Sequence, residues 1–355
     1  MGEKDSFTFL KDINEIEQLP STAKLLTADA VSMYTNIDTN HGLFILSDFI
    51  HSHALSDPTF PTNTVIKLLT IVMKNNIFTF GDLYFLQKCG TAMGTIVAVK
   101  YATIYYASHE NNTLIPKYQD QMLYYKRFID DIFIIWLPGR YSWKELQQDL
   151  LFGRMTWTVE QPKKEANFLD LTIMINNNNH IVHKTYEKPL NLHNYLPINS
   201  AHPPGTFKSL VVGFIRRYWL MNSNSKDYIK QITKFAERLN KRGYLMIFIQ
   251  KAFTEASTIL QQKMKFRKVY IRCKQDEISN KNKNKKILFF KRTYHPKSLP
   301  NKTLQATYSN TLDCINLFDK MIVYNKRPKN IRDVLMPSSL KQISGKNPSD
   351  ILQEV

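Results

Sequence analysis

The sequence predicts an α+β fold, on three observations. Short apolar runs ended by turn residues recur at 24–37, 77–87, 123–137 and 155–188. Longer stretches of helical period lie between them, at 39–54, 61–75 and 92–118. Beyond residue 205 the strand pattern gives way to a helical, basic stretch that lasts to about 265.

The elements follow in order. Residues 1–22 read as a lead-in helix ending near Pro20. KLLTADAVSMYTNI (24–37) starts as a buried strand on Leu25, Leu26 and Ala28. The next two helices are separated by the breakers Asp57–Pro58 and Phe60–Pro61. IFTFGDLYFLQ (77–87) reads as a strand pair around Gly81–Asp82. Residues 92–118, rich in Ala and Tyr, read as one amphipathic helix up to Pro116, and LYYKRFIDDIFIIWL (123–137) as two apolar strands meeting at Asp130–Asp131. A helix near 142–152 precedes strands at 155–160 and 168–175. Asn176–Asn179 turn the chain into a returning arm at 180–188. KNKNKK (281–286) is a solvated basic linker, and ILFFKRTYHP (287–296) a further strand.

Composition narrows the function. The 355 residues carry 48 Lys and Arg against 30 Asp and Glu, a net charge of +18. Such a balance favours polyanionic partners, nucleic acid ahead of an anionic membrane. A hydrophobic fraction of 43% excludes wholesale disorder. No apolar run approaches the roughly 18 residues that a bilayer span needs. The acidic N-terminus is no signal peptide. MGEKDS fits the minimal myristoylation pattern, but nothing else points to a membrane. Cys89, Cys273 and Cys314 stand far apart with no CxxC, which suggests reduced thiols rather than a zinc ribbon or a disulfide framework.

The acids are scarce, yet Asp130 and Asp131 sit inside an apolar frame, Phe128–Ile129 before and Ile132–Trp136 after. Burying unpaired carboxylates costs several kcal/mol. Two readings fit the pair alone: a tight solvated turn, or a site for cations. Asp29, at the end of the apolar strand LLTA, adds a third carboxylate at the edge of a second central strand. Adjacent strands would bring the acids together. Carboxylates grouped this way are hard oxygen ligands suited to Mg²⁺. Two such ions can activate a nucleophilic oxygen and stabilise a leaving one, the machinery of nucleotidyl transfer.

These residues resemble a reverse transcriptase palm. DAVSMYTNI (29–37) is similar to the first palm motif, with Asp29 at the metal-ligand place and Tyr34 at the aromatic that guards against a ribose 2′-hydroxyl. QKCGTAMG (87–94) resembles the next motif, Q-x-x-G-x-A-M-G, through Gln87, Gly90, Met93 and Gly94; Gln87 and Gly90 would lie along the incoming nucleotide and template. FIDDIFIIW (128–136) resembles the Y-x-D-D hairpin, with Phe128 in place of Tyr. The details SMYTNI, GTAMG, RFIDDIF, NFLDLTI (167–173), TYEKPLNLHNYL (185–196), Ser200, His202–Pro203 and NIRDVL (330–335) resemble Penelope-like retroelement reverse transcriptases, relatives of telomerase in palm organisation.

The resemblance implies a palm with an antiparallel sheet and packed helices over 1–200, a helical basic thumb over 201–275 and a C-terminal extension over 276–355. It implies Asp29, Asp130 and Asp131 as ligands of two Mg²⁺ ions, which Mn²⁺ can replace, and Tyr34, Gln87 and Gly90 as nucleotide contacts. The implied partners are an RNA template, a DNA primer and deoxynucleoside triphosphates, in the nucleus and with no membrane. Lys208, Arg216, Arg217, Lys234 and Arg238, interleaved with Phe207, Tyr218, Trp219 and Phe235, would meet phosphates. The plainer reading is a solvated face on a helical bundle. Lys163 or Lys164 would be a cationic acid near the leaving pyrophosphate, or else a solvated loop lysine. His180 and His183 point to opposite faces of a strand and make no metal site.

Some features depart from the family. Only 28 residues precede Asp29, so the fingers are expected to be largely missing; Val99 stands near a usual Pro, and the GIY-YIG endonuclease of many members has no counterpart before Val355. A catalytically incomplete chain that binds RNA or DNA without polymerising is therefore the alternative to an RNA-directed DNA polymerase.

Overall fold

The structure, a computed structural model, describes residues 6–54, 59–264, 287–293, 299–312 and 320–326. KNKNKK, NIRDVL, Cys273 and Cys314 lie outside them. The chain runs through helix α1 (Ser6–Glu15), strand β1 (Lys24–Ala30), the single turn α2 (Met33–Asn36), helices α3 (Thr39–Ala54) and α4 (Thr62–Lys74), and the hairpin β2 (Ile77–Phe80) and β3 (Leu83–Leu86). Helix α5 (Ala98–His109) passes through a π-helical turn (Glu110–Leu114) into α6 (Ile115–Tyr118). There follow β4 (Met122–Phe128), β5 (Asp131–Trp136), α7 (Trp143–Asp149), β6 (Trp157–Val159), β7 (Glu165–Phe168), β8 (Leu171–Ile175) and β9 (Ile181–Thr185). Three long helices come next, α8 (Pro204–Met221), α9 (Ser225–Lys241) and α10 (Met246–Met264), then β10 (Ile287–Thr293), α11 (Asn301–Leu312) and β11 (Lys320–Lys326).

Packing divides the chain into two units, Met1–Asn194 with Phe214–Arg238, and Tyr195–Gly213 with Leu239–Val355. This differs from the expected division at residues 200 and 275. Segment 214–238 belongs with the first unit, where its cations pair with Asp170 and Glu187.

The first unit is built on an antiparallel sheet of order β4-β5-β1-β6. Alternation in β1 and β5 sends Leu26, Ala28, Ile132, Ile134 and Trp136 to one face, against Tyr101, Tyr105 and Tyr106 of α5. Leu25, Phe133 and Ile135 go to the other, against Phe9 of α1 and Phe168, Leu171 and Ile173 of the second sheet, β7-β8-β9. Phe9 lies 5.1 Å from Phe133 and 4.7 Å from Phe168, ring centre to ring centre. Because both faces are covered, β5 is buried from Ile132 to Trp136, which explains its unbroken apolar run. Each fully buried aliphatic or aromatic side chain there stabilises the fold by about 1.5–3 kcal/mol. Helix α7 starts where a capping box closes it: the Glu145 amide donates to Ser142 Oγ and the Ser142 amide to the Glu145 carboxylate.

Several expected boundaries move. The lead-in helix stops at Glu15, and the second hairpin arm ends at Thr185. The helix expected from 92 begins only at Ala98, because the preceding loop is hydrogen-bonded to the segment after β1: Gly90 and Thr91 amides donate to the Ile37 and Tyr34 carbonyls. The strand expected over 168–175 is broken by a hairpin turn at Leu169–Asp170, with Leu169 at φ 54°. The β2–β3 hairpin leaves Phe78, Phe80, Leu83 and Phe85 exposed. Register pairs Phe78 with Phe85 and Phe80 with Leu83, so all four share one face.

In the second unit β10 and β11 pair in parallel over their whole length. Phe207 packs near Tyr244, whose hydroxyl donates to the Leu196 carbonyl at 2.8 Å. Among the described residues, no helix is long and apolar enough to cross a membrane.

Candidate active site

The end of the central sheet collects the acids. Asp29 and Asp131 are the last partners of the β1–β5 ladder, so their side chains leave the same face. The Ala30 amide donates to the Asp130 carbonyl at 2.8 Å, which fixes the turn against β1. The Asp131 carboxyl is pushed up to about 6, first by burial, then by the charges of Asp130 and Asp29 and a hydrogen bond with Asp29; Lys188 opposes the shift. The three acids singled out in the sequence are thus close enough to act on one another. Their mutual repulsion disfavours the ionised form of Asp131.

The acids sit on a two-residue hairpin, Ile129–Asp130, between Phe128 and Asp131. Ile129 takes φ 54°, a conformation that a β-branched residue adopts only under strain. Strain of this kind persists where surrounding contacts over-determine it.

Tyr34 follows a left-handed Ser32 at φ 48° and stands half-buried in the short turn α2. Its hydroxyl is held above the ordinary tyrosine value by burial and then by the charge of Asp130. The 87–94 loop docks on this same segment. Gly90 has φ 80°, and a Cβ there would stand 2.5 Å from the Tyr34 carbonyl and 2.7 Å from Thr35 Cα. Only glycine allows that approach. The Thr91 amide then donates to the Tyr34 carbonyl at 2.7 Å, and Thr39 Oγ1 to the Gly90 carbonyl at 3.3 Å. Gln87 reaches back along its own loop, its side-chain amide donating to the Cys89 carbonyl at 2.9 Å. Met93 is 74% exposed at the loop's far end. Tyr34, Gly90 and the acids are therefore brought together, while the Gln87 side chain is engaged locally.

The basic residues expected to meet phosphates are mostly held by carboxylates. Lys208 pairs with Glu255 at 2.6 Å, and Arg217 with Asp170. Lys234 and Arg238 pair with Glu187 at 3.1 and 2.5 Å. Arg238 foremost, with Lys234, pulls the Glu187 carboxyl down to about 2 against the opposing effect of burial. Arg216 is half-buried on α8. Lys164 donates to the Ser21 carbonyl, and Lys163 joins Leu25 in an isolated bridge. His180 and His183 are hydrogen-bonded through Nδ1 to the Glu17 and Met221 carbonyls.

Sequence reasoning passed over Lys188, Glu187, Arg127 and Glu110. The last two form a buried ion pair, and a signal was present: Arg127, next to Lys126, is a cation inside an otherwise apolar strand. Among the described residues, no group of three or more His, Cys, Asp or Glu side chains is gathered closely enough to hold a metal ion. The oxygen-only donors at the Asp29–Asp131 pair nonetheless suit a hard cation such as Mg²⁺.

Comparison with known proteins gives the following. A family model described as an animal helix-turn-helix domain matches residues 194–254. No curated protein matches the chain. Among solved structures, telomerase from Candida albicans in complex with a fragment of telomeric RNA is 11% identical with a TM-score of 0.49, over 73% of this chain and 48% of that one. Apo telomerase from Candida tropicalis is 12% identical, TM-score 0.38, over 72% and 46%. The Sicinivirus 3Dpol RNA-dependent RNA polymerase is 10% identical, TM-score 0.40, over 70% and 54%. The chain spans about half the length of these structures.

Proposed function

We propose that the first unit carries a two-metal-ion nucleotidyl-transfer centre and that the chain is an RNA-directed DNA polymerase of the Penelope-like kind. It would extend a DNA primer on an RNA template from deoxynucleoside triphosphates, in the nucleus. The observation that carries this reading is the pairing of Asp29 with Asp131 across two central strands, beside Asp130. The ordered motifs DAVSMYTNI, QKCGTAMG and FIDDIF, with TYEKPLNLHNYL after them, support the family.

Asp29, Asp130 and Asp131 would hold Mg²⁺, or Mn²⁺ in its place. The bound ions supply positive charge at the attacking and leaving oxygens of an in-line phosphoryl transfer. Asp131 has to be deprotonated to ligate, so its raised carboxyl sets an acid limit on activity. The Tyr34 ring, beside Asp130, would crowd a ribose 2′-hydroxyl. The loop pinned by Gly90 would back the incoming base, because its backbone is held against the Tyr34 segment. Positioning and charge stabilisation of this kind account for most phosphoryl-transfer catalysis.

Primer extension on an RNA template with a DNA primer, in Mg²⁺ and in Mn²⁺, tests the reading. Extension by the wild type that vanishes in Asp130→Asn supports it. A second reading, a chain that binds RNA–DNA hybrid without polymerising, is favoured by the net charge of +18. It gains if wild type and Asp130→Asn bind hybrid equally, with steep salt dependence, and neither extends a primer.

A further inference from the structure

We propose that Arg127 is a positioning residue of the carboxylate site, gripping the turn that presents Asp130 and Asp131. The inference deepens the nucleotidyl-transfer reading of that turn and rests on it.

Arg127 pairs with Ile132 in the β4–β5 ladder, so its side chain leaves the sheet on the face opposite Asp131. There it is buried, 5% exposed, against Glu110 at 8%. Nε donates to Glu110 Oε1 at 2.6 Å and Nη2 to Oε2 at 2.8 Å, a two-pronged grip. Nη2 also donates to the Thr103 carbonyl at 3.0 Å. The remaining arm, Nη1, donates to the Ile129 carbonyl at 2.9 Å. Behind this fork, the Tyr125 hydroxyl donates to Glu110, and the Tyr106 ring lies 5.3 Å from the guanidinium carbon. Glu110 opens the π-helical turn, so the anchor stands at the one place where the long helix departs from regular winding.

A buried ion pair adds little stability over an apolar pair of the same volume, so stability alone does not explain this one. The bond to Ile129 does. Ile129 holds a backbone conformation natural to glycine, and a strained peptide relaxes by rotating. Rotation would swing the Asp130 carbonyl away from the Ala30 amide and displace both acids from Asp29. A planar fork fixed on its other edges by Glu110 and Thr103 prevents this. A lysine, with a single flexible ammonium, has no such geometry.

The test uses the full chain with Arg127→Lys, Glu110→Gln, Ile129→Gly and the double variant Arg127→Lys/Ile129→Gly. Three quantities are read: cooperativity of thermal melting, hydrogen exchange at the Ala30 amide against the core Ile134 amide, and the steady-state constants of primer extension. Arg127→Lys is expected to melt cooperatively and to exchange Ala30 at least about tenfold faster while Ile134 is unchanged. Its kcat should fall about 10- to 100-fold, with KM for the nucleotide within about threefold. Glycine at 129 takes the turn without strain, so the double variant should recover both Ala30 protection and kcat to the level of Ile129→Gly alone. Wild-type Ala30 exchange in a folded Arg127→Lys, or no rescue by Ile129→Gly, overturns the proposal. If Arg127→Lys does not fold, Glu110→Gln is read for the same loosening of Ala30. Failure of both to fold, without rescue by Ile129→Gly, assigns the pair to stability and also overturns it. Should the wild type extend no primer, the polymerase reading fails, and Ala30 exchange still decides the role of Arg127.

Discussion

Asp29 and Asp131 close the β1–β5 ladder as its last pair, two acids opposite each other with a hydrogen bond between their side chains. Like charges directly opposite in a ladder destabilise it. Asp131 answers by holding its proton to about pH 6. Its folded carboxyl lies above the unfolded value, so the stability it contributes is full below about pH 4 and is lost as pH rises through 6. Asp131→Asn should therefore melt higher than the wild type at pH 8. The gain should be about 1 kcal/mol once solvent screening of a half-exposed group is allowed for, and should fade by pH 4. Thermal melts of both proteins across pH 4–8 check this.

The same repulsion predicts a metal response that needs no substrate. At pH 7.5, Mn²⁺ at a hundredfold excess over its dissociation constant should stabilise the wild type by about 2–3 kcal/mol. Asp29→Asn and Asp131→Asn should lose most of that gain. A chain whose melting ignores Mn²⁺ would not be a two-metal enzyme by these carboxylates.

Gly90→Ala should destabilise the first unit by about 2 kcal/mol or more, because the added carbon meets the Tyr34 carbonyl and the positive φ adds strain. Limited proteolysis should then cut first within 87–97. Denaturant midpoints measure the loss; an unchanged midpoint would mean that the loop does not dock as described.

Tyr34→Ala should weaken sugar discrimination. If the ring crowds a 2′-hydroxyl, removing it should raise ribonucleotide incorporation relative to deoxyribonucleotide by at least about tenfold, with a smaller change for the deoxy substrate. Competitive incorporation in primer extension gives the ratio. Tyr34→Phe should behave as the wild type, since the ring rather than the hydroxyl does the crowding.

Glu187→Gln should release Lys234 and Arg238 from the carboxylate that neutralises them. Hybrid-duplex binding should then tighten, and its logarithmic salt slope should steepen by about 1, the value of one uncovered charge. Fluorescence anisotropy across a salt series reads both. Unchanged binding would place these two cations outside the nucleic-acid interface.

Much of the site was legible because its chemistry is local. Acids inside an apolar run are conspicuous, and so is a glycine within QKCGTAMG. The turn at Gly81–Asp82 and the helices on either side of the 55–61 breakers follow from short-range preferences. What stayed hidden depends on pairing across the chain. Nothing near Arg127 announces Glu110, which sits in a different element and meets it only when β4 lies against the π-helical turn. The strand β7 was missed because its turn uses Leu169 at positive φ, with no glycine to mark it. The basic face read from 205–250 proved largely ion-paired, since Glu187, Asp170 and Glu255 come from other segments. The pairing of β10 with β11 and the helix α11 had no signal strong enough to read.

The π-helical turn at Glu110–Leu114 has one last implication, for lineage. It holds one residue more than a plain helix would need between Ala98 and Tyr118. Deleting a single residue from 111–114 would let the helix wind regularly and keep the stretches on either side in register. Tyr118, whose hydroxyl meets Asp149, would hold its place, and so would the entry to β4. The same loss from the regular winding of 98–109 would turn everything beyond it by about 100°. Sequences descended from a common ancestor with this chain should therefore vary in length at 111–114 more readily than elsewhere in this helix.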